Sequence, residues 1–450
     1  MVKRKVMEQS VLFVSVVKWI FLASCIGVIV GASTAVFLTL LNGGIALMSR
    51  IPYYFLSVPL GLLGSMLLVK YFAPDARGHG TEKIIEAVHR NFGKIKLAVV
   101  PVKLAATIVT IACGGSAGKE GPAAQIGAAL CSGFADIFRF DDKDRRKLVI
   151  CGISAGFSTV FGTPIAGAMF GVEVLYVGGL LYDVLLPSFI AGMVGYQVSS
   201  AIGITYFYEP LNFVPTFSSL FFFKVCFAGM FFGLCSLLLV ETLRAAERLA
   251  KRLPIREEWK ALLGGGGIIL LTLLFSSRYL GLGLETIKES LEGSSSVPWY
   301  AFILKAVFTS ITLGFGGSGG IITPIFFVGS TAGNALGHLP GFDPAVFAAI
   351  GMVGLIAGAA NTPISASIMA VELFGPQVAP YAAMSNVISF LMTGHRSVYP
   401  SQILSMSKSA SLSVEHGQEM RGIDNIEYKP REKSLLGVIL RAVRQIRGRK

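Results

Sequence analysis

Long apolar runs interrupted by glycine and proline set the pattern of this chain. Val11 to Leu41 and Ile51 to Phe72 are each long enough to span a bilayer, which takes about 20 apolar residues, and the second stops just before Pro74. A polar stretch from Asp75 to Lys96 follows and contains a glycine-opened turn, Gly78-His79-Gly80-Thr81. Leu97 to Cys113 is then apolar except for Lys103 and two threonines, and Ala123 to Ala135 is small and apolar around Gln125. Neither piece crosses a membrane comfortably alone. Between them lies Gly114-Gly115-Ser116-Ala117-Gly118-Lys119-Glu120-Gly121-Pro122, a glycine-rich turn with an ionisable pair. The pattern predicts two short helices meeting at a break at membrane depth, where non-helical backbone survives only inside protein or beside an aqueous cavity. Helices broken this way aim their N-terminal dipoles at ions, so the free N–H groups after Gly118 are placed to face an anion.

The remainder reads as a charged loop (Asp141 to Lys147), apolar sequence from Leu148 through Glu173 to about Ile204, and a weakly apolar loop, Thr205 to Thr216. A second half starts near Ser218. There Leu220 to Val240 leads into a basic amphipathic run, Arg244 to Lys260, which the pattern places at the cytoplasmic surface. This half echoes the first. Gly115-Ser116-Ala117-Gly118-Lys119-Glu120-Gly121-Pro122 aligns with Gly317-Ser318-Gly319-Gly320-Ile321-Ile322-Thr323-Pro324, and Thr163-Pro164-Ile165 through Val172-Glu173 aligns with Thr362-Pro363-Ile364 through Val371-Glu372. Two matches at nearly one offset predict a duplicated fold with an ion site at the repeat interface. The organisation is a segment 1–18, a first membrane repeat 19–216, a second 217–405 and a basic tail 406–450.

Composition narrows the class: 53% hydrophobic and 14% charged residues exclude a string of soluble domains and indicate an all-α polytopic membrane protein. The net charge of +13 gathers at the ends, in Lys3, Arg4 and Lys5 and in Arg441, Arg444, Arg447, Arg449 and Lys450. By the positive-inside rule both termini are cytoplasmic, and anionic lipid, not nucleic acid, suits the basic tail. The first apolar stretch is too long for a signal peptide and lacks a clean cleavage site. Six scattered cysteines read as small buried hydrophobes, without metal-ligand spacing or a disulfide framework. No Ser/His/Asp set, phosphate loop or metal cluster suggests an enzyme or a cofactor, and a receptor or scaffold leaves the paired breaks unexplained.

Gly118-Lys119-Glu120-Gly121-Pro122 with Gln125 and Gly127, Gly320-Ile321-Ile322-Thr323-Pro324, Gly78-His79-Gly80 and Ser397-Val398-Tyr399 occur within residues 19 to 405. Together they resemble the CLC family of chloride channels and proton/chloride antiporters, whose marks are G-[RK]-E-G-P, G-x-F-x-P, G-S-G-x-P and a late tyrosine. The resemblance implies two inverted-topology repeats and a homodimer with one pore per subunit; the absence of an evident targeting segment and of long soluble domains suggests a prokaryotic plasma membrane. It implies that Glu120 is the gating carboxylate. His79, the backbone amides of Gly121, Ile321 and Ile322, and the Tyr399 hydroxyl become the anion-binding groups, for chloride or a similar monovalent anion.

Three positions depart from the family. His79 stands at its chloride-coordinating serine, Ile322 at its filter phenylalanine, and Val174 at its inner proton-transfer glutamate. Since an intramembrane proton relay needs an ionisable group, the valine favours an uncoupled or weakly coupled chloride channel; the alternative is a proton-coupled antiporter with a non-standard proton path. Other readings stay open: Lys119 as an electrostatic neighbour, His79 as a turn cap or pH sensor, and Tyr399 as an interfacial aromatic. Glu173 and Glu372, at equivalent repeat positions, read as structural caps at the dimer or repeat interface.

Overall fold

The computed structural model describes residues 2–206, 208, 211, 218–423, 426–428 and 437. Among the described residues, the first half holds eight helices: α1 (Val2–Met48), α2 (Val58–Phe72), α3 (Thr81–Arg90), α4 (Val99–Ala112), α5 (Glu120–Ile137), α6 (Asp142–Phe161), α7 (Pro164–Glu173) and α8 (Leu185–Ala201). The second half answers with eight more: α9 (Ser219–Arg252), α10 (Glu257–Leu274), α11 (Leu284–Leu291), α12 (Ala301–Gly314), α13 (Ile322–Gly337), α14 (Pro344–Ala359), α15 (Pro363–Phe374) and α16 (Ala379–Met392). The duplication therefore extends to every helix, each pairing with the one eight places on. The halves pack as an inverted pair, α2 on α10 and α7 on α15, and one apolar core runs through both.

Among the described residues, four helices, α1, α9, α2 and the segment Tyr182–Ala201, are long and apolar enough to cross a bilayer. At about 1.5 Å per residue, α4 and α12, with 14 residues each, reach only about 21 Å. They stop inside the protein, as the sequence pattern requires. At α1 the opposite holds. Its 47 residues extend about 70 Å, more than twice the hydrocarbon thickness, and the turns from Val6 to Val17 stand exposed.

Local chemistry sets the helix starts. Asp141, Ser218 and Asp343 each accept the backbone N–H three residues on, at 2.7, 3.1 and 2.9 Å, capping α6, α9 and α14. Prolines open α7, α14 and α15, where a missing N–H costs nothing. Gly162, at φ 72°, ends α6 and lets the chain fold back into α7.

One expectation from the pattern changes. Asp141 to Lys147 is not a loop but the cap and first turns of α6, because the Asp141 cap lets the helix begin among charges. The basic run Arg244 to Lys260 is divided: Arg244 to Arg252 continues α9, the chain then turns into α10, and several of its charged, largely exposed side chains line a cavity. β1 (Tyr176–Val177) pairs in parallel with β2 (Ile403–Leu404), and beyond Ser405 the chain folds back so that Leu404 exchanges backbone hydrogen bonds with Gln418 and Gly417 at 2.9 and 2.8 Å. Met420 is buried and Arg90 makes a bidentate pair with Glu419 at 2.9 Å. The basic residues Arg441 to Lys450 and most of the loop 205–216 lie outside the described residues.

Candidate anion site

The two breaks meet. Gly118 and Gly320 exchange a pair of backbone hydrogen bonds at 2.8 and 2.7 Å, a two-residue antiparallel bridge between the halves. Around it the contacts are reciprocal. The Ser116 N–H donates to Thr312 Oγ1 and the Ser318 N–H donates to Thr110 Oγ1, both at 3.0 Å. Buried amides that no helix can satisfy thus find hydroxyls on the opposite repeat, which fixes the two breaks against each other.

Two buried lysines stiffen the flanking turns. Lys103 Nζ, on α4, donates to the carbonyls of Ala76 and Gly78 at 3.1 and 2.6 Å. Lys305 Nζ, on α12 and 202 residues later, donates to Tyr279 and Gly281 at 3.1 and 2.9 Å and lies over the Phe327 ring. The carbonyl-bearing turns are themselves repeats: Gly78-His79-Gly80 before α3 corresponds to Gly281-Leu282-Gly283 before α11, each opened by glycines at positive φ. One turn presents an imidazole and the other a leucine packed beside Ala117 and Ala123.

Glu120, at the start of α5 and 1% exposed, sends its carboxylate to the N-terminus of α13. Its Oε1 accepts the Ile322 N–H at 2.5 Å and its Oε2 accepts the Thr323 hydroxyl at 2.7 Å. These donors sit where the helix dipole is positive and first-turn amides are unpaired. The carboxylate fills a set of neutral donors at a helix N-terminus.

The structure gathers the other sequence-derived residues near this seat. Ile321 caps α13 and precedes the Ile322 amide. Gly121 packs so closely that a Cβ there would sit 2.1 Å from the His79 carbonyl oxygen and 3.1 Å from Gly320 Cα. Gly121→Ala should therefore push the His79 turn off the break and cut transport at least about tenfold, read as flux per correctly sized purified protein. His79 is half-buried, with Nδ1 unpartnered among the described residues. Tyr399 is fully buried, and its Oη has no partner in hydrogen-bond geometry among the described residues. A buried hydroxyl in that condition is a donor awaiting an acceptor.

A cavity of about 1080 Å³ opens beside the breaks, with His79, Ser318 and Val398 in its wall. Eight lysines and arginines line it against three glutamates, Glu82, Glu247 and Glu257. A cationic funnel of this kind concentrates anions at the mouth of a site. Val174 does not contribute: it is fully buried in the apolar core.

Glu173 and Glu372 resolve as caps at the repeat interface. Glu173 accepts the Ile364 and Ser365 amides at 3.0 and 2.8 Å, at the start of α15; Glu372 accepts those of Ile165 and Ala166 at 2.9 and 2.8 Å, at the start of α7. Each repeat closes the other's helix.

Sequence reasoning missed Thr323, Lys305 and the threonine lattice. Signals were present, since Thr323 aligns with Gly121, Lys305 with Lys103, and Thr312 with Thr110, all at the offset of 202 already established by the paired prolines.

A broken-helix, duplicated membrane fold with an acid seated among amides is the architecture of an anion transporter. Residues 60–394 match the family described as voltage gated chloride channel. A chloride/fluoride channel protein of Pseudomonas syringae pv. tomato is 35% identical over 408 residues, covering 89% of this chain and 90% of that one. An H(+)/Cl(-) exchange transporter of Vibrio vulnificus is 29% identical over 340 residues, 71% of each chain. Among solved structures, a CLC-type fluoride/proton antiporter superposes with a TM-score of 0.82 at 28% identity, covering 86% of this chain and 98% of its own. The chain belongs to the CLC family of membrane anion transporters.

Proposed function

We propose that this protein exchanges a small monovalent anion, chloride or fluoride, for protons, with Glu120 as both gate and proton carrier. The observation that carries the reading is the carboxylate on the Ile322 amide and Thr323 hydroxyl. When ionised it is a tethered anion in the substrate's place; when protonated it loses its attraction to the helix N-terminus and yields the seat. One group then couples proton and anion by mutual exclusion. Val174 favours the second reading, an uncoupled channel, while the relatives named as exchangers and the neighbour named as an antiporter favour coupling.

The donors are neutral: amides of Gly121, Ile321 and Ile322, the hydroxyls of Thr323 and Tyr399, and His79 at the inner approach. Neutral donors hold an anion loosely enough to release it. Two copies associate, each with its own pore, and both termini face the cytoplasm. Thr323→Val removes one hydroxyl while keeping the shape; it should weaken anion selection or affinity about threefold to tenfold, read as the concentration dependence of flux in proteoliposomes.

The deciding experiment is proton movement driven by an anion gradient. Proteoliposomes loaded with chloride or fluoride and diluted into anion-free buffer should take up protons against their gradient. Anion efflux without proton uptake under both anions sinks the coupled reading in favour of the channel.

A further inference from the structure

Lys408 belongs by sequence to the basic tail, but it is 9% exposed and its Nζ meets no carboxylate among the described residues. The ammonium donates instead to Asn361 Oδ1 at 2.6 Å and to the Phe390 carbonyl at 2.7 Å, and it lies 4.0 Å from the centroid of the Phe390 ring. That carbonyl is in the last turn of α16, where helix carbonyls lack amide partners and the dipole is negative. The Lys408 N–H donates to His395 Nε2 at 3.2 Å, so backbone and side chain are both anchored. A cation drawn out of water this far is costly unless its donors are met.

Beyond Asn361 the hydrogen bonds have a direction. Gln402 faces two carbonyls, those of Val174 and Ala360, at 2.7 and 2.8 Å, so that end of its amide must be the amino group. Its Oε1 then turns back and accepts from the Ser397 hydroxyl and from Asn361 Nδ2, the latter at 3.1 Å. Asn361 spends its second amino proton on the Arg396 carbonyl at 3.0 Å, which leaves Oδ1 aimed at position 408. Only a donor fits there. At the other end the network closes on Tyr399. Ser397 Oγ accepts the Tyr399 N–H at 2.9 Å, and the Tyr399 carbonyl accepts the Gln402 N–H at 3.1 Å. Ser397, Val398 and Pro400, around the tyrosine, line the inner cavity.

We infer that Lys408 is a positioning residue for anion binding: through Asn361, Gln402 and Ser397 it fixes the backbone of Tyr399, and so holds the tyrosine hydroxyl at one place beside the anion route. The hydroxyl does not hold itself, having no partner among the described residues. A polar network in which both amides are fully used is rigid. Removing its terminal donor leaves Asn361 Oδ1 buried and unpaired, and both amides are then free to reorient.

The inference rests on the reading of Tyr399 as an anion donor, and the concentration dependence of anion flux in proteoliposomes tests the two apart. Lys408→Met keeps the length of the stem and removes the donor. It should raise the half-saturating anion concentration about threefold to tenfold, with maximal flux per monodisperse protein within about twofold of wild type. Tyr399→Phe should raise it by a similar factor, and adding Lys408→Met to that background should change it less than about twofold, because the lysine acts only through the hydroxyl. Asn361→Asp keeps an acceptor for Lys408 but loses the donors to Gln402 and Arg396, so it should show the same shift; it decides alone where Lys408→Met yields no monodisperse protein. Glu419→Gln breaks the exposed pair with Arg90 that holds the same tail, and should change neither quantity. Wild-type half-saturation in Lys408→Met or Asn361→Asp, a full additive shift in the Tyr399→Phe background, or an equal shift in Glu419→Gln overturns the positioning role. Wild-type half-saturation in Tyr399→Phe overturns the reading of that hydroxyl as an anion donor and the inference with it.

Discussion

Glu120→Gln should abolish anion-driven proton uptake while leaving anion flux that no longer tracks the protonation of the gate. The glutamine is nearly the same size, so packing around Gly118 and Gly320 survives. What changes is charge. The native carboxylate takes two donors, the Ile322 amide and the Thr323 hydroxyl, at a positive helix end. Its ionised form is worth more there than a neutral amide, because hydrogen bonds to charged groups contribute roughly twice as much as neutral ones. An amide that can neither ionise nor carry a proton leaves anion flux free-running. Proton uptake in Glu120→Gln equal to that of the wild type would remove this residue from the proton path. A residual pH dependence of anion flux lost only on further replacing His79 with Ser would assign that part to the imidazole.

The second large effect is on stability. Glu173→Ala strips the partner from the Ile364 and Ser365 amides at the start of α15. An unpaired buried donor costs about 1–3 kcal/mol, and of the two amides Ser365 is buried while Ile364 is exposed, so the loss should be about 1–3 kcal/mol. Glu372→Ala should cost less. Its carboxylate is half-buried where that of Glu173 is buried, so water more readily takes its place at the α7 amides. The buried thiols of Cys131, Cys151 and Cys235 supply the readout, since a thiol-reactive dye reports unfolding on heating in detergent. A Glu372→Ala protein melting below Glu173→Ala would contradict the burial argument.

These two results bear on how the fold is specified. The break in the first repeat was legible because it combines glycines, a proline and an acid within apolar sequence, a combination that a packed helix excludes. The duplication was legible for a related reason: Pro122 and Pro324, Pro164 and Pro363 mark helix starts that must stay in register. The caps at Glu173 and Glu372 could be read as structural from their matching positions, but only the packed pair shows that each serves the other repeat.

What stayed hidden lies in contacts across the repeat axis. Thr110 and Thr312 look like ordinary helical threonines, whose hydroxyls usually satisfy a carbonyl on their own helix; both do so here and also receive a serine amide from the other half. Lys103 appeared as an exception in an apolar run, and its use as a clamp on the His79 turn depends on a loop 25 residues away. The basic run after Val240 shows the limit of periodicity: it says which face is wet, but not that Arg244, Glu247, Arg248 and Lys251 on that face line the rim of a cavity.

The cavity gives the charge distribution a purpose. Its cations are largely held by rim acids, Lys70 by Glu258 at 2.6 Å and Arg77 by Glu257 at 2.9 Å, both exposed and individually weak. Their sum still draws anions toward His79, an effect that salt screens over about 8–10 Å. Deeper in, cations give way to hydroxyls and amides. On the proposed function, the gradient runs from attraction at the mouth to loose, neutral coordination at the seat.

The central claim is that the Glu120 carboxylate and the transported anion compete for one seat, and equilibrium anion binding measures it without transport. Calorimetric titration of the purified wild-type protein and of Glu120→Ala with chloride and fluoride, at neutral pH in matched salt, compares an occupied seat with a vacated one. Removing a tethered competitor should strengthen binding at least about tenfold, or add a site per chain. Identical affinity and stoichiometry in the two proteins would contradict the claim.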